Sequence, residues 1–334
     1  MKYKSLKSIS LVFTRILLLH SALIIVAQEK LVILIPFDQN DTNDTMLHPD
    51  PNNYWYQLKQ ACAKAGYLLT SERHAYLPEQ VHAIIAFNAP RTEILQSYPK
   101  AKKILYTWEP PSFWPQNFDH RVHNQYDIVA TWHDGLVNNK KYRKFNYALL
   151  FSPPTQNTPF SQKKLCCMMA GNKNSAYPHE LYSKRLSLIR FFEKNAPHEF
   201  DLYGSGWPRN CPVYRGFTPD KTKTMDLYKF AVIYENMSHI PGYITEKIFD
   251  AFSAGCVPVY WGASNITDYI PRTCFVARED FTSDFDLYQF IKNMPQETYQ
   301  EYLNAIDSFL RSEKAYVFSR EQFITTFINL LNSL

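Results

Sequence analysis

The stretch "YENMSHIPGYITEKIFDAFSAGCVPVYWG" (Tyr234–Gly262) decides the fold. Leading into it, "KFAVIYEN" (Lys229–Asn236) is a short run of β-branched and aromatic residues, which predicts a strand. "GYITEKIFDAFSAG" (Gly242–Gly255) carries apolar residues at helical spacing and stops at a glycine, which predicts a helix. "CVPVYWG" (Cys256–Gly262) predicts a second strand. Such a βαβ unit puts Glu235 and Asn236 at a strand's carboxyl end and Tyr243, Thr245, Glu246 and Lys247 at the next helix start.

Free N–H groups and the positive dipole end of a helix start favour phosphate. Lys247 in the first turn can add a charge to a diphosphate, and Glu246 can accept two hydrogen bonds from a ribose diol. Each residue alone has an ordinary explanation, since a first-turn Glu suits the dipole and a Lys suits a solvated face. The ordered string is far more specific than any member of it.

Working outward, "LCCMMA" (Leu165–Ala170) and "HEFDLYGSGWP" (His198–Pro208) predict strands, the second running into a Gly-rich turn, with a helix near Glu180–Lys194 between them. Beyond Asp280 two helical stretches are expected. Towards the amino terminus, "LVILIP" (Leu31–Pro36), "AIIAF" (Ala83–Phe87), "KILYTW" (Lys103–Trp108), "YDIVATW" (Tyr126–Trp132) and "NYALLF" (Asn146–Phe151) predict further strands. Tyr54–Ala65, closed by Gly66, predicts an amphipathic helix. Short apolar strands alternating with helices imply parallel sheets covered on both faces. The Pro/Ser/Thr-rich run Phe151–Lys164 separates the two sets, so the expected architecture is two α/β halves around a cleft.

Composition is that of a globular protein, with 46% apolar and 20% charged residues. The net charge of +5 is modest and Lys and Arg form no long run, which argues against nucleic acid as a partner and leaves an anionic small molecule open. Lys2, Lys4 and Lys7 precede an apolar run from Ile16 to Ala27, the pattern of a signal peptide or membrane anchor. Six cysteines show no metal-ligand spacing. Cys166, Cys167 and Cys256 read as core thiols, and in an exported chain Cys211 and Cys274 are the disulfide candidates. Asn40 and Asn43 are glycosylation acceptors only in a eukaryotic secretory pathway, and the sequons at Asn236 and Asn265 read as coincidental.

The string "FAVIYENMSHIPGYITEKIFDAFSAGCVPVYWGASNITDYIP", together with "MAGNKNSAYPHELYSKRLSLIRFFEKNAPHEFDLYGSGW" (Met169–Trp207) and "KILYTWEPPSFWP" (Lys103–Pro115), closely resembles the α-1,3/4-fucosyltransferases, glycosyltransferase family 10. "YENM" stands where that family usually has Phe-Glu-Asn-Ser, and the resemblance covers most of residues 100–280. It implies a GT-B fold, two Rossmann-like domains facing a central cleft. The expected division is a signal peptide or anchor over 1–27, an acceptor-binding domain over 28–155, a GDP-fucose-binding domain over 156–295 and C-terminal helices over 296–334.

The resemblance also implies an inverting transfer of L-fucose from GDP-L-fucose to an oligosaccharide or glycoconjugate, in α-1,3 linkage to GlcNAc or glucose, without an obligatory metal ion. The matching positions make Glu109 in "TWEPP" the base, Arg185 in "YSKRLSLI" and Lys247 the diphosphate ligands, with Arg190 the alternative arginine under a gapped alignment, and Glu246 the ribose ligand, with Asn236 and Tyr243 lining the donor pocket. Replacing Glu246 or Lys247 by Ala is expected to abolish transfer and leave the fold intact. The N-terminus implies export or membrane association, at a Golgi or other secretory membrane in a eukaryote and at the cell envelope in a bacterium. Trp108, Phe113 and Trp114 suit stacking on an acceptor sugar or burial, and His133 and Asp134 read as structural or cleft-lining. Two alternatives stay open: a GT-B transferase of another nucleotide sugar, and a catalytically silent glycan-binding protein on the same fold.

Overall fold

A computed structural model describes residues 29–36, 47–50, 53–72, 74–90, 92–147, 149, 151–154 and 158–334. The expected signal segment 1–27 and the sequons at Asn40 and Asn43 lie outside the described residues. Among the described residues no helix is long and apolar enough to cross a membrane.

Two parallel sheets organise the chain. The first holds β1 (Lys30–Ile35), β2 (Tyr67–Ser71), β3 (Val81–Phe87), β4 (Lys102–Tyr106), β5 (Ile128–Thr131) and β6 (Tyr142–Lys144) in the order β2-β1-β3-β4-β5-β6. The second holds β7 (Lys164–Met169), β8 (Phe200–Tyr203), β9 (Tyr228–Tyr234), β10 (Val257–Trp261) and β11 (Val276–Ala277) in the order β11-β10-β9-β7-β8. Both sheets start from their first strand, add the second on one side and all later strands on the other. That doubly wound order creates a switch point, between β1 and β3 in one sheet and between β7 and β9 in the other, where diverging connections leave a crevice.

The strands are apolar on both faces because helices cover both. In β1, Val32 and Leu34 join the core shared with α1 (Tyr54–Lys64), while Leu31, Ile33 and Ile35 join a second core beneath α2 (Thr92–Ser97). Asn53 starts α1 by accepting the Trp55 N–H at 3.0 Å, and Gly66, at φ 84°, lets the chain turn into β2. A short helix α3 (His120–His123) follows the β4 loop. In the second unit α4 (Tyr182–Asn195), α5 (Lys221–Met225), α6 (Glu246–Ser253) and α7 (Ile266–Tyr269) flank the sheet, and α8 (Asp284–Lys292), α9 (Gln296–Leu310), α10 (Glu313–Tyr316) and α11 (Arg320–Asn332) close the chain.

The last helix returns to the first unit. Phe323 of α11 meets the rings of Trp55, Phe87 and Tyr106 at 5.7–6.3 Å, and the Tyr67 hydroxyl donates to Asn332 Oδ1 at 2.9 Å. Just before it, Phe318 packs on Phe249 of α6 at 4.9 Å. The carboxy-terminal helices therefore tie the two units together.

Several expectations need correction. Among the described residues of Asn146–Phe151 there is no strand: the first sheet ends one step earlier at β6, and Leu149 forms an isolated bridge with Ser319. Phe145 and Tyr147 are buried and turn towards Trp108 instead of extending the sheet. The strand β2 was not foreseen, because it follows Gly66 directly without a polar break. The helix expected from Gly242 starts only at Glu246, since Gly242 has φ 82° and Thr245 serves as N-cap. Four helices, not two, follow Asp280.

All six cysteines are free and buried. Cys211 lies beyond β8 and Cys274 just before β11, at opposite edges of the second sheet. Four strand spacings amount to about 19 Å, against the 7 Å limit between bridged Cα atoms, so these two cannot pair.

Candidate active site

The carboxyl ends of β4, β7, β8 and β9 and the start of α6 open into one cleft of about 390 Å³. Glu109, Arg185, Asn236, Tyr243, Glu246 and Lys247, the six residues singled out from sequence, all line it. Glu109 comes from the first unit and the other five from the second.

At the centre of the second-unit wall sits a carboxylate that the sequence reading left without a role. Glu235, one residue beyond β9, is fully buried. Its Oε1 accepts the Thr245 N–H at 2.9 Å, and its Oε2 accepts the Thr245 hydroxyl at 2.8 Å and Lys247 Nζ at 3.1 Å. Lys247 Nζ also contacts Thr245 Oγ1 at 2.9 Å and Glu246 Oε1 at 3.5 Å. Burial lowers the Lys247 pKa, but Glu235 and Glu246 more than offset it and hold the ammonium above its ordinary value. A permanently charged ammonium is thus fixed at the amino terminus of α6, where the helix dipole adds to its pull on an anion.

Glu246 projects beside it, half-exposed to the cleft. Burial raises its pKa, but Lys247 and Lys221 outweigh that and hold it below the ordinary value, so it is an ionised acceptor at neutral pH. One turn on, Asp250 faces Lys221 Nζ at 3.4 Å, and burial pushes its carboxyl up to about 6.

Arg185 is buried on α4. Its Nε and Nη2 donate to the Tyr234 carbonyl at 3.1 and 2.6 Å, and Nη2 reaches Asn236 Oδ1 at 3.0 Å. These bonds fix the guanidinium plane against the end of β9. Arg190, in contrast, pairs with Glu193 on the exposed side of α4 and lies away from the cleft. Tyr243 is buried against Trp132, ring centres 4.5 Å apart, and burial holds its phenol well above the ordinary value.

Glu109 is set opposite. Burial is the main influence on its carboxyl and raises it from 4.5, with Lys247 and Lys173 pulling the other way. The backbone around it is tightly held: the Trp108 carbonyl accepts Trp132 Nε1 at 3.2 Å and the Tyr147 hydroxyl. Of the three aromatics weighed for sugar stacking, Trp108 stacks on Phe145 at 5.8 Å and also lines the cleft, whereas Trp114 Nε1 donates to the Ala89 carbonyl at 3.1 Å and does not line it. Phe113 is 45% exposed at the cleft mouth, with Lys173 Nζ 4.2 Å above its ring.

Sequence reasoning missed Lys173, Lys221, Ser205 and Phe217 on the cleft wall. Their signal was position alone: they sit in the turns after β7 and β8 and in the approach to α5. Gly204 (φ 132°) occupies a point where a Cβ would lie 2.1 Å from the Ala170 carbonyl oxygen, so the two strand ends approach closely only because it has none. His133 and Asp134 are not a catalytic pair. Asp134 accepts Lys144 Nζ at 2.6 Å from its own unit and Asn265 Nδ2 at 2.9 Å and the Tyr269 hydroxyl at 2.8 Å from the other, latching the units together. Asn265 Oδ1 also accepts the Gly242 N–H at 2.8 Å, so both of its side-chain amide atoms are engaged, while Asn236 lines the cleft with its Oδ1 accepting from Arg185.

Two facing parallel-sheet units, with a cationic and carboxylate-lined cleft at their strand ends, define a GT-B glycosyltransferase fold. An "alpha1,3-Fucosyltransferase" crystal structure superposes with TM-score 0.58 over 91% of this chain and 90% of that one, at 16% identity. The same comparison with an "alpha1,3-Fucosyltransferase with GDP-fucose" gives TM-score 0.53 over 90% of each chain. Residues 160–328, half of the chain, match the family described as "Glycosyltransferase family 10 (fucosyltransferase) C-term". The chain belongs to glycosyltransferase family 10.

Among curated relatives it is 32% identical over 150 residues to the Mus musculus "4-galactosyl-N-acetylglucosaminide 3-alpha-L-fucosyltransferase 9", which is 43% of this chain and 37% of that protein. It is 36% identical over 80 residues to an Arabidopsis thaliana "Alpha-(1,4)-fucosyltransferase", or 23% of this chain and 20% of that one. The chain thus spans less than two fifths of the length of the curated relatives it matches.

Proposed function

We propose that this protein transfers L-fucose from GDP-L-fucose to a hydroxyl of a glycan, in α-1,3 linkage to GlcNAc or glucose, with inversion at the anomeric carbon. One observation carries the reading: in a family 10 chain, the six residues that match the family's donor and base positions line a single cleft. The names of the relatives, which specify fucose transfer to a galactosyl-N-acetylglucosaminide, support the acceptor class.

In this reading the Glu109 carboxylate removes the acceptor hydroxyl proton as that oxygen bonds to the anomeric carbon. The bond from that carbon to the diphosphate breaks on the opposite face, and GDP leaves with the electron pair. A positioned base contributes roughly 10²–10⁴-fold. Burial of Glu109 supports this role, because a raised pKa makes a stronger base. Lys247, Arg185 and the α6 amino terminus receive the growing diphosphate charge, and Glu246 holds the ribose diol. These fixed positive groups supply the leaving-group stabilisation, so the reaction has no obligatory metal requirement. The basic, apolar leader over 1–27 supports export or membrane attachment as the cellular setting.

The test is calorimetric titration of protein lacking residues 1–27 with GDP-L-fucose, GDP and a panel of other nucleotide sugars, with no added metal. Selective binding of GDP and GDP-L-fucose is expected. Equal binding of a uridine diphosphate sugar overturns the donor assignment.

A further inference from the structure

The loop that presents Glu109 hangs from two buried asparagines. Asn88 follows β3, donates its N–H to the Tyr106 carbonyl at 2.9 Å and turns away at φ 69°, a conformation that Asn tolerates better than most residues. Its Oδ1 accepts the Glu109 N–H at 2.7 Å and Asn117 Nδ2 at 2.6 Å. Asn117 Nδ2 also donates to the Glu109 carbonyl at 2.9 Å, and its Oδ1 accepts the Ala89 N–H at 2.8 Å. Both side chains are essentially fully buried.

This network admits one arrangement. Ala89 N–H can only donate, so the Asn117 oxygen must face it, and the Asn117 amide nitrogen must face Asn88 Oδ1 and the Glu109 carbonyl. Glu109 is thereby gripped through both its N–H and its C=O. The Asn117 carbonyl accepts His123 Nε2 at 2.7 Å, and the Asn117 N–H donates to Trp114 at 3.0 Å, so every polar group of Asn117 is satisfied. Neither asparagine lines the cleft, so the clamp touches Glu109 without touching a ligand there.

We propose that Asn88 and Asn117 are positioning residues that fix the backbone of Glu109, and hence its carboxylate, at the distance proton abstraction requires. The inference rests on Glu109 acting as the base. The physical reason is that the following "PPSFWP" segment has few N–H groups of its own and cannot hold Glu109 by a regular ladder, whereas a shift of about 1 Å in a reacting group costs on the order of 100-fold.

Two variants open the clamp from either side. Asn88→Gly keeps the positive φ but removes the acceptor, and Asn117→Asp keeps the bond from Ala89 but removes both donors. GDP release from GDP-L-fucose is measured with water and with N-acetyllactosamine as acceptors, alongside GDP affinity and urea unfolding, with Glu109→Gln in parallel. Both variants are expected to lose roughly 10–100-fold in kcat while GDP affinity stays within about twofold of wild type, and Asn88→Asp, which restores an acceptor, is expected to recover most of the rate. A folded clamp variant with wild-type kcat, while Glu109→Gln is inactive, overturns the positioning role. So does a loss in which kcat and GDP affinity fall together and Asn88→Asp recovers neither. Wild-type kcat in Glu109→Gln overturns the base assignment instead, and the clamp's role with it.

Discussion

Removing the Lys247 ammonium separates its two jobs. With Nζ 3.1 Å from Glu235 Oε2, Coulomb attraction at an effective dielectric near 20 is about 5 kcal/mol, part of it cancelled by the cost of desolvating the ammonium. Glu235 has no exposure, so Lys247→Met leaves a buried carboxylate without its counter-ion, a loss of roughly 3–5 kcal/mol. The two bonds from Thr245 persist and place the expected value at the lower end, about 3 kcal/mol. For a chain of 334 residues, whose unfolding entropy is about 0.7 kcal/mol/K, that lowers Tm by roughly 4 °C. Lys247→Ala is therefore expected to cost stability as well as transfer, because the lysine neutralises a core charge as well as facing the cleft. The double variant Glu235→Gln/Lys247→Met removes both charges and should recover most of the lost Tm in scanning calorimetry. Its GDP affinity should stay at least tenfold below wild type, because a charge-assisted contact to phosphate is worth about 1.5–3 kcal/mol. A single variant melting within about 2 °C of wild type, or a double variant binding GDP as wild type does, refutes this reasoning.

Three more outcomes follow from the site. The pH–rate profile of fucose transfer should show an acidic limb above the ordinary Glu value of 4.5, because burial raises Glu109, and Glu109→Gln should remove that limb together with roughly 10²–10⁴ of kcat; an unshifted limb contradicts the assignment. Asp250, near 6 in the fold against 3.8 unfolded, binds a proton more readily when folded, so it opposes folding above pH 6 and the opposition fades as pH falls towards 4. Asp250→Asn should then raise stability at pH 7.5 by on the order of 1–3 kcal/mol and have no effect near pH 4, as urea titrations at the two pH values can read. Gly204→Ala, which forces a Cβ against the Ala170 carbonyl at a backbone angle alanine avoids, should weaken GDP binding by at least tenfold in calorimetry; wild-type affinity would show that this strand junction does not shape the donor pocket.

The local pattern of the chain was enough to place most strands. β1, β3, β7, β9 and β10 are short apolar runs bounded by breakers, and α6 announces itself by Thr245, Glu246 and the glycine at 255. Reading failed where hydrogen-bond partners come from far away: β2 looks like a continuation of the turn after Gly66, and Asn146–Phe151 looks like a strand although the pairing shown there is a single bridge from Leu149 to the distant Ser319. The order of the strands in each sheet was not readable either, since β1, β3, β4 and β5 of the first sheet are similarly apolar and buried.

For the site the same division holds. The sequence by itself determined which side chains carry charge and which motif they compose, because Glu235–Asn236 and Tyr243–Lys247 are ordered within one βαβ unit whose geometry is local. Only the tertiary structure decided that Glu109 faces that unit, that Glu235 is the buried counter-ion of Lys247, that Arg185 and not Arg190 turns inward, and that Asn88 and Asn117 grip Glu109. The reason is physical: helix and strand periodicity are set by neighbours a few residues apart, whereas burial, ion pairing and a shared cleft depend on chain segments that meet only when two sheets pack.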